Sequence, residues 1–315
     1  MKSKVSSKRI LRFAHVGKAS ELYRIIIINT ILKIVTLGLY HFWAKTRVRK
    51  YLWSHTSIDR EFMEYTGTGK ELLIGGILAA LIIVSASLGG NYIELQHPDL
   101  APFFMGAVFI LFTVLIGIAK YASLRYSLSR TRWRAIQFGM TGSAIKYAGK
   151  WIGNYALCFL TLGIYYPFIK SNLVSYKVNN IWFGSEPLSY TGCGKDMLKP
   201  FLQAYFLAIP TLGISWFMYI AYEKYYFAQN THFQGAVFEA EFYALELMQF
   251  WLVNFLLIFF TFGLAFPIVL LRIIQFNCER YRLVGEVEMA TVTQQKKDAS
   301  SFGEGVLDNF DLAGI

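Results

Sequence analysis

Three apolar stretches of this chain carry the same polar residues at the same interval, and these are the first places to look for chemistry. Asn29 and Thr36, Asn154 and Thr161, and Asn254 and Thr261 are each seven residues apart, nearly two helical turns, so each pair shares a helix face. Lys33 lies on the first of these faces and Cys158 on the second. In apolar surroundings Asn, Thr and above all Lys must find partners, and three such faces together can line a polar site or pathway for a small solute. The plainer role is to tie helices together, or to bond backbone freed at the Gly two residues after each Thr. Lys33 is the only strongly basic residue inside an apolar segment, which makes it the leading single candidate, with snorkelling to a surface as its alternative. No Asp or Glu stands at the centre of a segment, which argues against a carboxylate proton relay.

Other motifs carry less. Gly67-Thr68-Gly69-Lys70 and Gly192-Cys193-Gly194-Lys195 look like phosphate loops, but that pattern needs a Ser or Thr after the Lys, and Glu71 and Asp196 stand there. An acid at that position suits a turn that opens a helix, where it complements the dipole. Arg47, Arg49 and Lys50, like Arg130, Arg132 and Arg134, lie beside Tyr51 and Trp133. Next to apolar segments such clusters suit anionic lipid headgroups, at about 1 kcal/mol per charge, and no nucleic-acid partner is expected. The three Cys and five His are too dispersed for a disulfide framework or a metal site. With no Ser-His-Asp or Cys-His arrangement either, the chain reads as a protein without metal or cofactor, and not as an enzyme.

What must position these residues is a membrane-embedded chain. Of 315 residues 55% are hydrophobic and only 16% charged, well below the roughly 25% of a soluble domain, and the mean hydropathy is +0.40. A soluble enzyme and a disordered chain are both excluded. Lys and Arg exceed Asp and Glu by 31 to 20, and apart from Lys33 they fall in polar stretches between apolar segments at 25–43, 72–88, 102–119, 151–169, 200–222 and 247–271. Each segment is long enough to match a hydrocarbon core of about 30 Å. The expected fold is a membrane all-α, polytopic helical bundle with internal repeats. Around it come a basic cytoplasmic segment at 1–24, a repeated membrane domain at 25–285 and a polar, flexible tail at 286–315.

The repeat is written in the residues. Thr36-Leu37-Gly38-Leu39-Tyr40, Thr161-Leu162-Gly163-Ile164-Tyr165 and Thr261-Phe262-Gly263-Leu264-Ala265 follow their Asn at equal offsets. Tyr65-Thr66-Gly67 and Tyr190-Thr191-Gly192 each stand thirty-six residues after the Asn. Thr131 to Phe138 aligns without a gap on Thr231 to Phe238, and Ile58–Phe62, Trp182–Leu188 and Tyr281–Val287 are looser versions. Aromatic and branched residues around a turn read as short β-hairpins, expected here as small cytoplasmic modules. With Arg47, Arg49, Tyr51 and the tail Phe302 to Asp308, these blocks resemble the YjgN-like bacterial inner-membrane family. The resemblance implies placement in the inner membrane and carries over no activity.

Charge sets the topology and exposes a conflict. Positive-inside sorting puts both termini and most polar stretches in the cytoplasm and 89–101, which has no Lys or Arg, outside. Yet 25–43 and 151–169 have basic stretches on both sides. Either they turn back at Thr-Leu-Gly as helical hairpins, or they cross once as kinked helices against the rule; the residues leave both open. The leading function is binding or passage of a small solute or lipid at the repeat interface. The alternative is a non-catalytic scaffold that organises lipid through its basic stretches, and the sequence fixes no oligomeric state.

Overall fold

The computed structural model describes residues 9–294. Ten strands and ten helices alternate there in a fixed order. β1 (Arg9–His15) leads to the helix pair α1 (Ala19–Val35) and α2 (His41–Ser54). The strand pair β2 (Thr56–Ile58) and β3 (Glu61–Tyr65) follows, then α3 (Gly69–Gln96) and α4 (Ala101–Ser129), the longest helices. After them come β4 (Thr131–Trp133), β5 (Ile136–Met140), α5 (Ala144–Leu160) and α6 (Tyr166–Val178). The chain continues through β6 (Ile181–Phe183), β7 (Glu186–Tyr190), α7 (Gly194–Leu207) and α8 (Ile214–Gln229). It ends with β8 (Thr231–Phe233), β9 (Gly235–Ala240), α9 (Ala244–Phe260), α10 (Phe266–Arg280) and β10 (Tyr281–Glu286).

The strands form one closed antiparallel barrel, each pairing with its neighbour in sequence, and β10 returns to β1 with Arg9 opposite Gly285. Tight turns join the strands at one end. Two of them, Asp59-Arg60 and Arg134-Ala135, hold both central residues at positive φ, as a type I′ hairpin requires. Gly285 is needed where β10 runs between β1 and β9, since its φ is +143° and an added Cβ would lie 2.6 Å from the Ala236 Cα. The third residue of each of β2, β4, β6, β8 and β10 points inward, giving a buried layer of Ile58, Trp133, Phe183, Phe233 and Leu283. After β10 the chain folds under the turn end: Val292 packs on that layer, and Thr293 N–H donates to Ser185 Oγ at 3.3 Å. The barrel is thus a packed core, closed below, and not a conduit.

All helix pairs leave from the other end, and each helix packs on the next from α1 to α10, with α10 returning to α1. A ring of ten helices therefore stands on a ring of ten strands, among the described residues. The turn between the helices of four pairs has one construction. Thr36, Thr161, Thr211 and Thr261 each donate Oγ–H to the carbonyl four residues earlier and accept the N–H four residues later. Leu37, Leu162, Leu212 and Phe262 follow at φ near +50°, then Gly38, Gly163, Gly213 and Gly263 near +90°. Each Gly N–H bonds the carbonyl five residues back, at 2.7–2.8 Å, the closure of a Schellman motif.

The expected polytopic helical bundle with separate β-hairpin modules is corrected by this architecture. The strands, including β1 from the basic N-terminal segment, join into a single barrel. Of the six apolar segments, only 72–88 and 102–119 become helices long and apolar enough to cross a bilayer, Gly69–Gln96 with 28 residues and Pro98–Ser129 with 32. Segments 25–43, 151–169, 200–222 and 247–271 are each broken near the middle into two short helices. The physical reason is that the turn itself is apolar, so an average over about 19 residues passes through it unbroken. The tail motif Phe302 to Asp308 lies outside the described residues.

Candidate functional site

The repeated Asn residues bond within their own helix pairs. Asn254 is 1% exposed on α9, and its Oδ1 accepts Arg272 Nε–H from α10 at 3.0 Å. Asn154 on α5 accepts Asn172 Nδ2–H from α6 at 3.1 Å and donates to Lys150 O. Asn29 on α1 donates to Ala44 O of α2 at 3.4 Å. The Thr residues Thr36, Thr161 and Thr261 are held in the turns, and Lys33 stands at the C-terminal end of α1 with its carbonyl bonded to Gly38 N–H. These seven residues lie in three separate pairs, and among the described residues each one's hydrogen bonds stay inside its pair. Replacing Asn254 by Leu is expected to cost about 1–3 kcal/mol, because it strands the Arg272 guanidinium. The double change with Arg272→Leu should restore much of the loss, and thermal midpoints in mild detergent measure both.

The basic candidates divide. Arg49 is 1% exposed, its Nη1 bonds Tyr65 Oη at 3.2 Å and its guanidinium lies over the Tyr65 ring, so it serves the α2–β3 junction and does not reach a surface. Arg130 makes a two-point pair with Glu71, at 3.1 and 2.9 Å. Arg134 pairs with Glu61 at 2.6 Å, and Arg132 lies opposite Glu64 across the β3–β4 ladder. Arg47 and Lys50 on α2 remain exposed. The Gly-x-Gly-Lys blocks are turns of close approach: a Cβ on Gly69 or Gly194 would sit within 3 Å of the Trp43 or Phe168 Cα. Glu71 and Asp196 in those first helical turns accept hydrogen bonds from Tyr126 and Tyr226, at 2.9 and 2.6 Å.

Tyr226 also belongs to a set that the repeated sequence motifs do not mark. Tyr51, Tyr176 and Tyr226 each stand thirty-three residues after Lys18, Ser143 and Cys193, and each hydroxyl bonds both N–H and C=O of that residue. The second helix of a pair is thereby locked to the start of the first. The equal spacing was the available signal.

The structure's own candidate site is the junction of ring and barrel. Two cavities of about 420 and 460 Å³ lie there, sharing Phe13 as a wall. The first runs between Val174 and Val178 of α6, Phe227 of α8 and Phe238 of the barrel, with Asn277 and Tyr281 at its polar side and Cys278 in its wall. The second is enclosed by Leu52 and Trp53 of α2, Leu128 of α4, Leu270 and Ile274 of α10 and Met63 of the barrel. Both fall in the size range of small-ligand pockets. Burial pushes the Cys278 thiol up to about 11, with the Glu279 carboxylate adding to it, so at neutral pH it is a small apolar wall residue and no thiolate nucleophile. The walls offer packing, with almost no groups that could perform acid–base work.

Barrel, ring and cavities define the class: an α+β protein in which a closed ten-strand barrel carries a ring of helix pairs with apolar turns. The chain belongs to the family of bacterial proteins of unknown function DUF898, whose profile matches residues 10–227 and 205–309. It is also similar to the inner membrane protein YjgN of Salmonella typhimurium, with 30% identity over 172 residues, 53% of this chain and 40% of that relative. The matched region thus spans two-fifths of the relative's length. No solved structure matches.

Proposed function

We propose that the protein sits in the bacterial inner membrane through its helix ring and binds the apolar chains of lipids in the two cavities at the ring–barrel junction. α3 and α4 cross the bilayer as a pair. The four short pairs enter from the barrel side and turn back inside it, so the barrel and both chain ends stay on the cytoplasmic face. Three features support the placement: the relative's name, the lack of Lys and Arg in 89–101, and the short pairs' turn residues. Leu37, Leu162, Leu212 and Phe262 are 82–96% exposed, a costly display in water. Even crossings by 25–43 and 151–169 also remove the conflict with the positive-inside rule.

The observation that carries the binding role is the pair of cavities, with walls that are mostly aliphatic and aromatic. Apolar pockets of that size match an acyl chain, which gains about 0.8 kcal/mol per buried CH₂ against water. The test is a titration of delipidated protein in detergent with a fluorescent polyene fatty acid. Val178→Trp and Leu128→Trp, each placing a ring in one cavity, should weaken uptake about tenfold, the equivalent of about 1.4 kcal/mol. Uptake unchanged in both variants would sink the reading.

A further inference from the structure

We propose that the α5–α6 pair carries a binding site for the phosphate group of an anionic lipid, with Lys150 as its cation. The cavity, about 220 Å³, opens between the two helices and is lined by Lys150, Asn172, Ser175, Tyr176, Asn179 and Asn180. Among the described residues every lining side chain is polar and none is a carboxylate, in contrast to the cavities at the barrel mouth.

The donors left over define the ligand. Asn172 uses one amide N–H on Asn154 Oδ1 at 3.1 Å, and Asn179 uses one on Ser175 Oγ at 3.2 Å. Asn179 Oδ1 is taken by Tyr190 N–H at 2.6 Å, and Asn180 Nδ2 donates to Tyr176 O at 2.6 Å. Each amide has two N–H groups and the Ser hydroxyl keeps its proton, so second donors of Asn172 and Asn179 and the Ser175 hydroxyl are open to a ligand. Lys150 adds an ammonium, 5.9 Å from the centre of the Tyr176 ring, and that ring is fixed by its own bonds to Ser143. An excess of donors around one cation fits an oxyanion with several acceptor oxygens, which is a phosphate.

Depth selects a lipid as the source. This step rests on the reading that the short pairs enter the bilayer. Lys150 stands eleven residues before Thr161 on α5, and Ser175 ten after Tyr165 on α6, or about 15–17 Å down each helix from the turn. Half of a hydrocarbon core is about 15 Å. A turn at the midplane therefore puts this cavity at the phosphate layer. The other pairs lack the set: where α6 has Asn172 and Ser175, α2 has Arg47 and Lys50, α8 has Tyr222 and Tyr225, and α10 has Arg272 and Gln275.

The test is native mass spectrometry of the full chain in detergent, titrated with phosphatidylglycerol or with phosphatidylcholine of the same chains. Phosphatidylglycerol should bind more tightly. Lys150→Gln should weaken it about fivefold, the factor expected for one charge at an anionic surface. Lys150→Arg should hold it, and Lys146→Gln, exposed on the same helix outside the cavity, should leave it unchanged. Equal effects of Lys146→Gln and Lys150→Gln, or no preference between the lipids, would overturn the proposal. Displacement by excess inorganic phosphate would overturn the lipid source and assign the site to free phosphate. Fatty-acid uptake measured on the same preparations separates this outcome from the fate of the barrel-mouth cavities.

Discussion

Trp133→Ala is expected to cost about 3–5 kcal/mol, the range for removing a buried large aromatic side chain from a core. Trp133 is 3% exposed and sits in the layer to which β2, β4, β6, β8 and β10 each contribute their third residue. Its ring centre lies 5.5 Å from that of Phe183, which in turn lies 6.0 Å from Phe233, and its Nε1–H donates to Glu61 O at 3.2 Å. Losing the ring therefore opens a void against two neighbours and removes a hydrogen bond to the Glu61 carbonyl at the start of β3. A barrel has no free edge to relax along, and three-residue strands such as β4 have few ladder bonds of their own. The loss should appear as a lower thermal midpoint in mild detergent, with helix and strand signals falling together. Trp133→Phe should cost less than half as much. Arg134→Ala, which removes a cation 4.8 Å from the Trp133 ring and the Glu61 ion pair, should cost under about 1 kcal/mol because both groups face water. Equal midpoints for Trp133→Ala and Trp133→Phe would show that the layer does not hold the barrel together.

The same residues show what a sequence can and cannot display. The hairpins at Thr131–Phe138 and Thr231–Phe238 are readable because alternation and turn chemistry are local. Barrel closure is not local: Arg9 meets Gly285, and nothing within Arg9–His15 points to a partner at the far end of the chain. Read by itself that segment is basic and short, so its charge hides Leu11 and Phe13, which pack in the barrel core. The helix turns are hidden in the opposite way. Thr36 to Tyr40 is apolar enough to pass for the middle of a spanning helix, and only the Gly marks the reversal. The fourth turn, Thr211-Leu212-Gly213, has Ala204 where the others have Asn, so a search keyed on Asn passes over it. The intervals between Thr161, Thr211 and Thr261, fifty residues each, carry it instead. The cavities at the ring–barrel junction left no motif at all. Their walls are Val, Leu, Phe and Ile drawn from elements far apart in sequence, chemically the same as residues that fill the core, and only the spaces between them make a site.

Cysteines placed at Leu162, Leu212 and Phe262 should be silent to a charged, water-soluble maleimide from either side of the membrane, whereas Arg60→Cys should react only from the cytoplasm and Asp99→Cys only from outside. The background must first lose Cys158, Cys193 and Cys278. Arg60 lies in a barrel turn, and Asp99 links α3 to α4 at the opposite end of the long pair. The argument for silence is energetic and begins with the backbone. Leu37, Leu162, Leu212 and Phe262 hold φ near +50°, a conformation costing an L-residue roughly 1–2 kcal/mol. Helix ends usually place Gly there to avoid it. In water these turns would gain twice by taking Gly or Asn, once in strain and once in exposed apolar area. Inside a bilayer the balance reverses, since a large apolar side chain at the apex is solvated by lipid while Asp at the same depth costs about 2.5–3.5 kcal/mol. The Thr hydroxyl and the Gly N–H then satisfy the backbone groups that a turn at that depth cannot give to water. Fast labelling of the apex cysteines, at the rate of Arg60→Cys, would mean that the turns stand in water, and the strained Leu and Phe would then have no physical reason to be there.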